Sequence, residues 1–482
     1  MTIGRRSRDA PAPPPSPAPA PDLHAKPARP GPPLRFTGPQ LTPAVRAFLA
    51  NEAGGGAVLL LATLAALLWS NSPWASSYFT FWNTPTSVRV GHAGIDLDLR
   101  HVVNDAAMAV FFLVLALEIN RELTSGDLRN RRTVLVPVLG AVGGMLVPIG
   151  IYLLVNHHGE AAHGWGVVMS SDTAFLLGAL ALFGPRCPDQ LRLFLLTLAV
   201  VDDIGAITVL ASYYTNTLHA TAVAMTLVLL AFLVALRWLG VWRLLPYVLV
   251  GLALWLAVYK SGVHPTLAGV LVGLVIPARP VREEHVLRLG VYGRALIEEP
   301  SAKRARLAIL AATATVPPNE RLQRVLHPWS AYLVVPAFGI ANAGVQLSGG
   351  VVRNAVSSPI TIGIVVALVV GKLVGITLGS TLALRTHLGE LPGLVRYSHL
   401  VGGATLAGMG FTISLFVTDI AFSTQTLRDQ ARIGILAGSL SAALLGTWIL
   451  RVMGERSPLC SPASALTPPA LPPLPWTATA DA

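Results

Sequence analysis

Apolar residues fall in long blocks along this chain, separated by short stretches of charge, proline and glycine. A helix needs roughly 20 predominantly apolar residues to cross the hydrocarbon core of a bilayer. Blocks of that order recur near residues 53–70, 102–119, 133–155, 165–183, 191–213, 219–238, 244–260, 263–277, 328–347, 359–383, 397–419 and 432–452. The pattern predicts an all-α polytopic membrane protein with about twelve transmembrane helices. The short eighth block and the glycine-rich eleventh are the least regular.

Two blocks are interrupted in mid-membrane. The fourth carries the polar run Ser170-Ser171-Asp172-Thr173, the eleventh the run from Gly402 to Thr412 through Gly403, Gly408 and Gly410. Each glycine weakens a helix by roughly 1 kcal/mol relative to alanine. Non-helical backbone at membrane depth survives only where protein or a water-filled cavity satisfies it. The fourth and eleventh spans run in opposite directions, and paired interrupted helices in inverted repeats point to a transporter's ion site. Facing N-terminal half-helix ends carry partial positive charge, which Asp172 is placed to offset. Facing C-terminal ends carry partial negative charge, which Lys372 on the tenth span could offset. For the eleventh span alone, a packing surface of small residues is the competing reading.

One connection has a different period. Val88 to Leu99 alternate apolar and polar around Gly91-His92-Ala93-Gly94, which predicts a small extracytoplasmic β-hairpin between the first two spans. A lone hairpin is marginal in water, so it is expected to pack on the protein or pair with a partner chain.

Composition agrees with the pattern. The chain of 482 residues is 53% hydrophobic and 12% charged, with a mean hydropathy of +0.61, against roughly 25% charged in an ordinary soluble protein. That excludes a soluble enzyme and a nucleic-acid-binding module, although the pI near 10.2 and net charge of +11 are basic. Of the 35 lysines and arginines, 28 lie on the side shared by both termini, six on the other, and Lys372 within a span. The bias places both termini in the cytoplasm, and attraction to anionic lipid headgroups follows from it. Residues 1–45 and 454–482 read as disordered Pro-rich tails around a transmembrane domain at 46–453, which contains a basic insert at 278–326. No apolar run follows Arg5-Arg6, so that pair is not an export signal. Cys187 and Cys460 are too few for a disulfide framework.

With charge so scarce, each ionised group inside a span needs a reason, since it costs roughly 2.5–3.5 kcal/mol even on the lenient scale. The mid-span groups are Asp172, the adjacent pair Asp202-Asp203, and Lys372. Asp105, Glu118 and Asp419 sit near span ends, where reaching toward the interface suffices. Lys372 stands out in a chain whose other lysines are Lys26, Lys260 and Lys303, because lysine can exchange its proton and arginine effectively cannot. Asp202 and Asp203 project about 100° apart on a helix, repel each other and titrate as a coupled pair. Such carboxylates hold either a proton or a hard cation, and an oxygen site without a Cys or His cluster favours an alkali cation over a transition metal.

These motifs resemble the NhaA family of bacterial sodium/proton antiporters, from about Asn51 to Arg451. The stretches that carry the resemblance include Val103-Asn104-Asp105, Leu117-Glu118, Ser171-Asp172-Thr173-Ala174-Phe175, Val201-Asp202-Asp203-Ile204-Gly205, Lys260-Ser261-Gly262-Val263-His264, His327-Pro328-Trp329, Gly371-Lys372 and Gly408-Met409-Gly410-Phe411-Thr412. The resemblance implies that Asp202 and Asp203 bind Na+ or Li+ in competition with H+. It places Asp172, Ser171 and Thr173 at the unwound crossing and Lys372 as the essential lysine. It further implies electrogenic exchange by alternating access, activation at alkaline pH, a homodimer formed through the 88–99 hairpin, and residence in the cell inner membrane for pH and sodium homeostasis. Asp105, Glu118 and His264 match positions tied to the pH response. Gln323 stands where relatives carry a glutamate, and Asn120 where a lysine is common. No cofactor is expected, no Walker-type phosphate loop occurs, and adjacent aspartates do not suit an intramembrane aspartyl hydrolase, so the chain is not read as an enzyme. A sodium-coupled solute symporter of similar architecture is the alternative.

Overall fold

The computed structural model describes residues 52–90, 93–125, 131–183, 189–214, 219–278, 283–391 and 395–456. The tail at 1–45, residues 457–482 of the other, Cys187, Cys460 and the hairpin tip Gly91-His92 lie outside the described residues.

After α1 (Glu52–Ser70) the chain turns by 116° into α2 (Ala75–Trp82). Strands β1 (Pro85–Val90) and β2 (Ala93–Asp98) pair antiparallel, from Pro85 opposite Asp98 to Val90 opposite Ala93. Asp98 ends the hairpin and caps the next helix, α3 (Leu99–Thr124), its Oδ1 accepting from the His101 amide at 2.7 Å. There follow α4 (Arg131–Val155), α5 (Thr173–Phe183), α6 (Asp189–Tyr213), α7 (Ala220–Trp238), α8 (Leu244–Ser261) and α9 (Thr266–Val275). The basic insert forms α10 (Glu283–Glu298), α11 (Ala302–Ala314) and most of α12 (Pro318–Trp329), which continues through a π-turn at Ser330–Val334 into α13 (Val335–Asn342). The chain closes with α14 (Gly349–Val356), α15 (Pro359–Arg385), α16 (Tyr397–Leu406), α17 (Phe411–Ala421) and α18 (Gln425–Arg456).

Among the described residues, seven helices are long and apolar enough to cross a membrane, or nine if the bent pairs α1–α2 and α16–α17 each count as one span. The expected count of about twelve is thus not reached by full-length helices. The fourth block is a 3-10 turn at His163–Val168, a non-helical stretch at 169–172, and α5. The eighth is reduced to the ten residues of α9, and the ninth is diluted by Pro328 and Asn342. The outer faces of the long helices carry exposed Leu61, Leu68, Leu146, Leu154, Leu227 and Val228. In water such a girdle would be adhesive; in a bilayer it meets lipid.

Lipid supplies no hydrophobic force between helices, so they associate through close packing of small residues. α15 lies against α4 in this way: a Cβ on Gly371 would stand 2.9 Å from Pro148 Cα, and one on Gly375 would stand 2.7 Å from the Gly143 carbonyl carbon. α9 meets α3 likewise, with a Cβ on Gly273 falling 2.6 Å from that of Ala116. The eleventh block is corrected in detail. α16 runs on through Gly402 and Gly403, and a Cβ on Gly403 would press on the Leu195 side chain at 2.9 Å. These two glycines serve packing, and the interruption falls at 407–410. α18 extends to Arg456, past the expected tail boundary at 454, because no proline intervenes before Pro458.

Candidate functional site

The two interruptions cross. The Asp172 amide donates to the Met409 carbonyl at 2.6 Å, joining one broken backbone to the other. Asp172 Oδ1 accepts from the Phe175 amide at 3.1 Å, in the first turn of α5. Its Oδ2 accepts from the Thr412 amide at 2.9 Å, in the first turn of α17, and also from the Thr412 hydroxyl. One buried carboxylate therefore closes two helix N-termini, where partial positive charge collects. At the opposite polarity, Lys372 Nζ donates at 2.6 Å to the carbonyl of Met169, which caps the C-terminal end of the 3-10 turn. Ser414 adds a tie from α17, donating to the Val167 carbonyl at 2.5 Å.

α6 brings the aspartate pair alongside. Asp202 Oδ2 accepts from Lys372 Nζ and from the Ser171 hydroxyl, each at 2.7 Å, while Asp202 Oδ1 has no hydrogen-bond partner among the described residues. Asp203 accepts from the Ser170 hydroxyl at 3.2 Å and from Thr173 at 3.5 Å. Both carboxylates and Lys372 are buried. The rotation between neighbours on a helix lets the two acids take different partners, and residues 170–173 supply hydroxyls to both. The result is a cluster of carboxylate, hydroxyl and carbonyl oxygens around one lysine. Hard oxygens of this kind suit a small cation or a proton.

Ser171, Asp172, Thr173, Asp202, Asp203 and Lys372 are thus brought together. The remaining candidates are not part of the cluster. Asp105 and His264 line a separate cavity of about 830 Å³ together with Arg100, Phe416, Asp419 and Arg432. The His264 ring packs edge-on to Phe416 at 5.6 Å. Glu118, half-buried on α3, is within electrostatic reach of Asp203. Gln323 is half-buried on α12.

Asp419 departs from the expectation of a group reaching for the interface. It holds the buried Arg432 of α18 at 2.6 Å and accepts from Asn104 on α3 at 3.1 Å, while Asn104 in turn accepts from Asn342 on α13 at 2.7 Å. Its partners lie on other helices and leave no local mark in the sequence. Asn120 plays a structural part, since its amide donates to the carbonyls of Gly273, Leu274 and Ile276 at 2.7–3.1 Å and closes the C-terminal end of the short helix α9. Thr412, the main side-chain partner of Asp172, was hidden in the glycine-rich run.

Comparison with known proteins shows the family. The profile of the family described as Na+/H+ antiporter 1 matches residues 46–450. The chain is 58% identical over 452 residues to Na(+)/H(+) antiporter NhaA 3 of Frankia alni, covering 94% of this chain and 98% of that protein. It is 43% identical to NhaA 1 of Mycolicibacterium vanbaalenii over 83% of this chain and 65% of that longer relative. With NhaA 1 of Acidiphilium cryptum the identity is 41%, over 86% of this chain and 93% of the relative. A match over this much of the chain, in a multi-pass helical membrane protein, shows that it belongs to the Na+/H+ antiporter 1 family, the NhaA antiporters.

Proposed function

We propose that this protein exchanges Na+ for H+ across the bacterial inner membrane, and that Asp202 and Asp203 are the groups at which cation and proton compete. The observation that carries the reading is the buried pair beside the crossing, with Asp202 Oδ1 free of donors among the described residues and Lys372 at hand to balance its charge. A cation arriving at Asp202 meets the carboxylate, the Ser171 hydroxyl and the nearby Met169 carbonyl. It must displace the Lys372 ammonium or take over its charge role. The loss of protons from the cluster on cation entry, and their return on release, couples the two flows.

In this reading Li+ follows the Na+ route, more protons than sodium ions move per cycle, and the protonation change biases which side the crossing opens to. The two broken spans belong to inverted repeats. Both termini face the cytoplasm, and the β1–β2 hairpin meets its counterpart in a homodimer. The test is Na+-dependent dissipation of a ΔpH in everted membrane vesicles. Asp203→Asn is expected to abolish it, whereas exchange at the wild-type level would overturn the site assignment.

A further inference from the structure

The antiporter reading makes no use of the insert between α9 and α13. Its base is pinned: the Asn319 amide donates to the Pro277 carbonyl at 3.2 Å, and the Asn319 side chain to the Leu117 carbonyl at 3.0 Å. Arg321 donates to the Trp242 carbonyl and stacks over the Trp242 ring at 5.7 Å. Arg237 and the exposed Trp238 end α7, and Trp242 and Arg243 lie just before α8, the Trp and Arg mixture found at a membrane–water interface. The insert therefore leaves the protein at the level of the lipid headgroups.

From this base α10 and α11 run out and back. Ser301 caps α11, accepting from the Arg304 amide at 3.3 Å, and Arg304 pairs with Glu299 at 2.5 Å and donates to the Ala295 carbonyl at 2.9 Å. Leu289 and Leu296 are half-buried, but Leu287 is 71% exposed, Ile297 81% and Ile309 65%, with Val291 and Leu310 also bare. α11 carries Lys303, Arg304 and Arg306 and no acidic residue. Arg306 stands one turn before Ile309 and Leu310, and Lys303 one turn before Arg306, so exposed aliphatic and basic residues share a side of α11.

We propose that the α10–α11 hairpin lies on the membrane surface, its bare aliphatic residues in the headgroup–acyl boundary and Lys303 and Arg306 on anionic lipid phosphates. Charge argues against two other occupants, the N-terminal tail and a second copy, and residues 457–482, with one aspartate and no lysine or arginine, are separated by the test below. The N-terminal 51 residues hold seven lysines and arginines against two aspartates, and a second copy would bring the same Lys303, Arg304 and Arg306 of α11, the glutamates of the hairpin lying on α10 and just after it. The proposal rests on the membrane reading of the chain and is independent of the ion site.

The test uses the full chain with Cys187→Ser and Cys460→Ser, carrying either Leu287→Cys or Ile309→Cys labelled with a polarity-sensitive fluorophore. It is placed in nanodiscs of phosphatidylcholine alone or mixed with phosphatidylglycerol. In anionic discs the label is expected to shift to the blue and be quenched by spin-labelled lipid. Lys303→Gln with Arg306→Gln should weaken this partitioning, roughly fivefold per charge and about 30-fold together. Emission typical of water and quenched by iodide in both disc types would overturn the proposal. So would a blue shift that vanishes on deleting residues 1–45 or 457–482, or one that follows protein-to-disc ratio, for these identify a tail or a second copy as the occupant. Labelling of the same cysteines in intact cells by an impermeant maleimide reports sidedness separately, so a reversed topology is distinguished from a hairpin that ignores lipid.

Discussion

Lys372 reaches the crossing only because α15 lies so close to α4, and this makes Gly375, one turn along from it, a sensitive position. A Cβ there would stand 2.7 Å from the Gly143 carbonyl carbon and 3.0 Å from Val147 Cβ, where ordinary contact begins at 3.4 Å. The Gly143 carbonyl oxygen stands closer still, so in Gly375→Ala the two helices must part by about 1 Å, because packed helices have no slack to absorb the methyl group. The Lys372 bonds to Met169 and Asp202, now 2.6 and 2.7 Å, would then stretch beyond the roughly 2.7–2.9 Å of a charge-assisted hydrogen bond. Overpacking costs about 1–3 kcal/mol, opposed by about 1 kcal/mol of alanine's better helix propensity, so a net loss of up to about 2 kcal/mol is expected. Displacements of this size at a working site lower rates by about tenfold or more. The control is Gly150→Ala on α4, where no atom stands within 4 Å of the new methyl group; it should keep full exchange and unfold no earlier. Na+-dependent ΔpH dissipation in everted vesicles and thermal unfolding in detergent read the two effects. A Gly375→Ala protein that exchanges and unfolds like wild type would refute the reasoning, and one that is destabilised yet exchanges normally would refute the positioning of Lys372.

Three further outcomes are expected. Ser171→Ala removes one of two donors to Asp202 Oδ2, a bond to a charged group worth about 1.5–3 kcal/mol; half-saturating Na+ should rise by roughly tenfold or more while Ser171→Thr stays near wild type, and an unchanged value in the alanine variant would remove the hydroxyl from the site. Arg432→Met leaves the half-buried Asp419 without its cation and should destabilise the protein by about 3 kcal/mol, the low end for a broken buried pair. Adding Asp419→Leu should restore most of that in the same thermal assay, and a double variant no better than the single one would show the pair is not the cause. Glu160, outside the spans, is held below the usual carboxylate range, first by the Ser423 hydroxyl and then by the Ser423 amide and Thr424. A depressed folded-state value means its stabilising effect is present above the unfolded value of about 4.3 and fades as pH falls through the lower folded value. Glu160→Gln should therefore unfold earlier than wild type at neutral pH and converge with it in acid; a gap independent of pH would contradict this.

Much of the site could be read along the chain because the cost of placing charge and broken backbone in hydrocarbon is paid residue by residue. Asp172, Asp202, Asp203 and Lys372 are conspicuous against apolar neighbours whatever surrounds them in space. The helix-end electrostatics are local in the same sense, since a polar run in mid-span implies two helix termini that need opposite charges. The period-two stretch at 88–99 overlaps the β1–β2 pair, whose first strand begins earlier, at Pro85.

Pairing across distance belongs to the fold. Thr412 meets Asp172 across 240 positions, and Lys372 meets Asp202 across 170. The glycines of α15 and α16 resemble Gly408 and Gly410 in sequence, yet the former pack within helices and the latter stand at the break, which depends on what stands opposite. Asp419 could not be told from a residue reaching for the interface until Arg432 and Asn104 appeared beside it. Hydrophobicity and helix polarity are properties of a segment and are written in its own residues. Contact and ion pairing are properties of two segments, and they come into being only when the chain has folded.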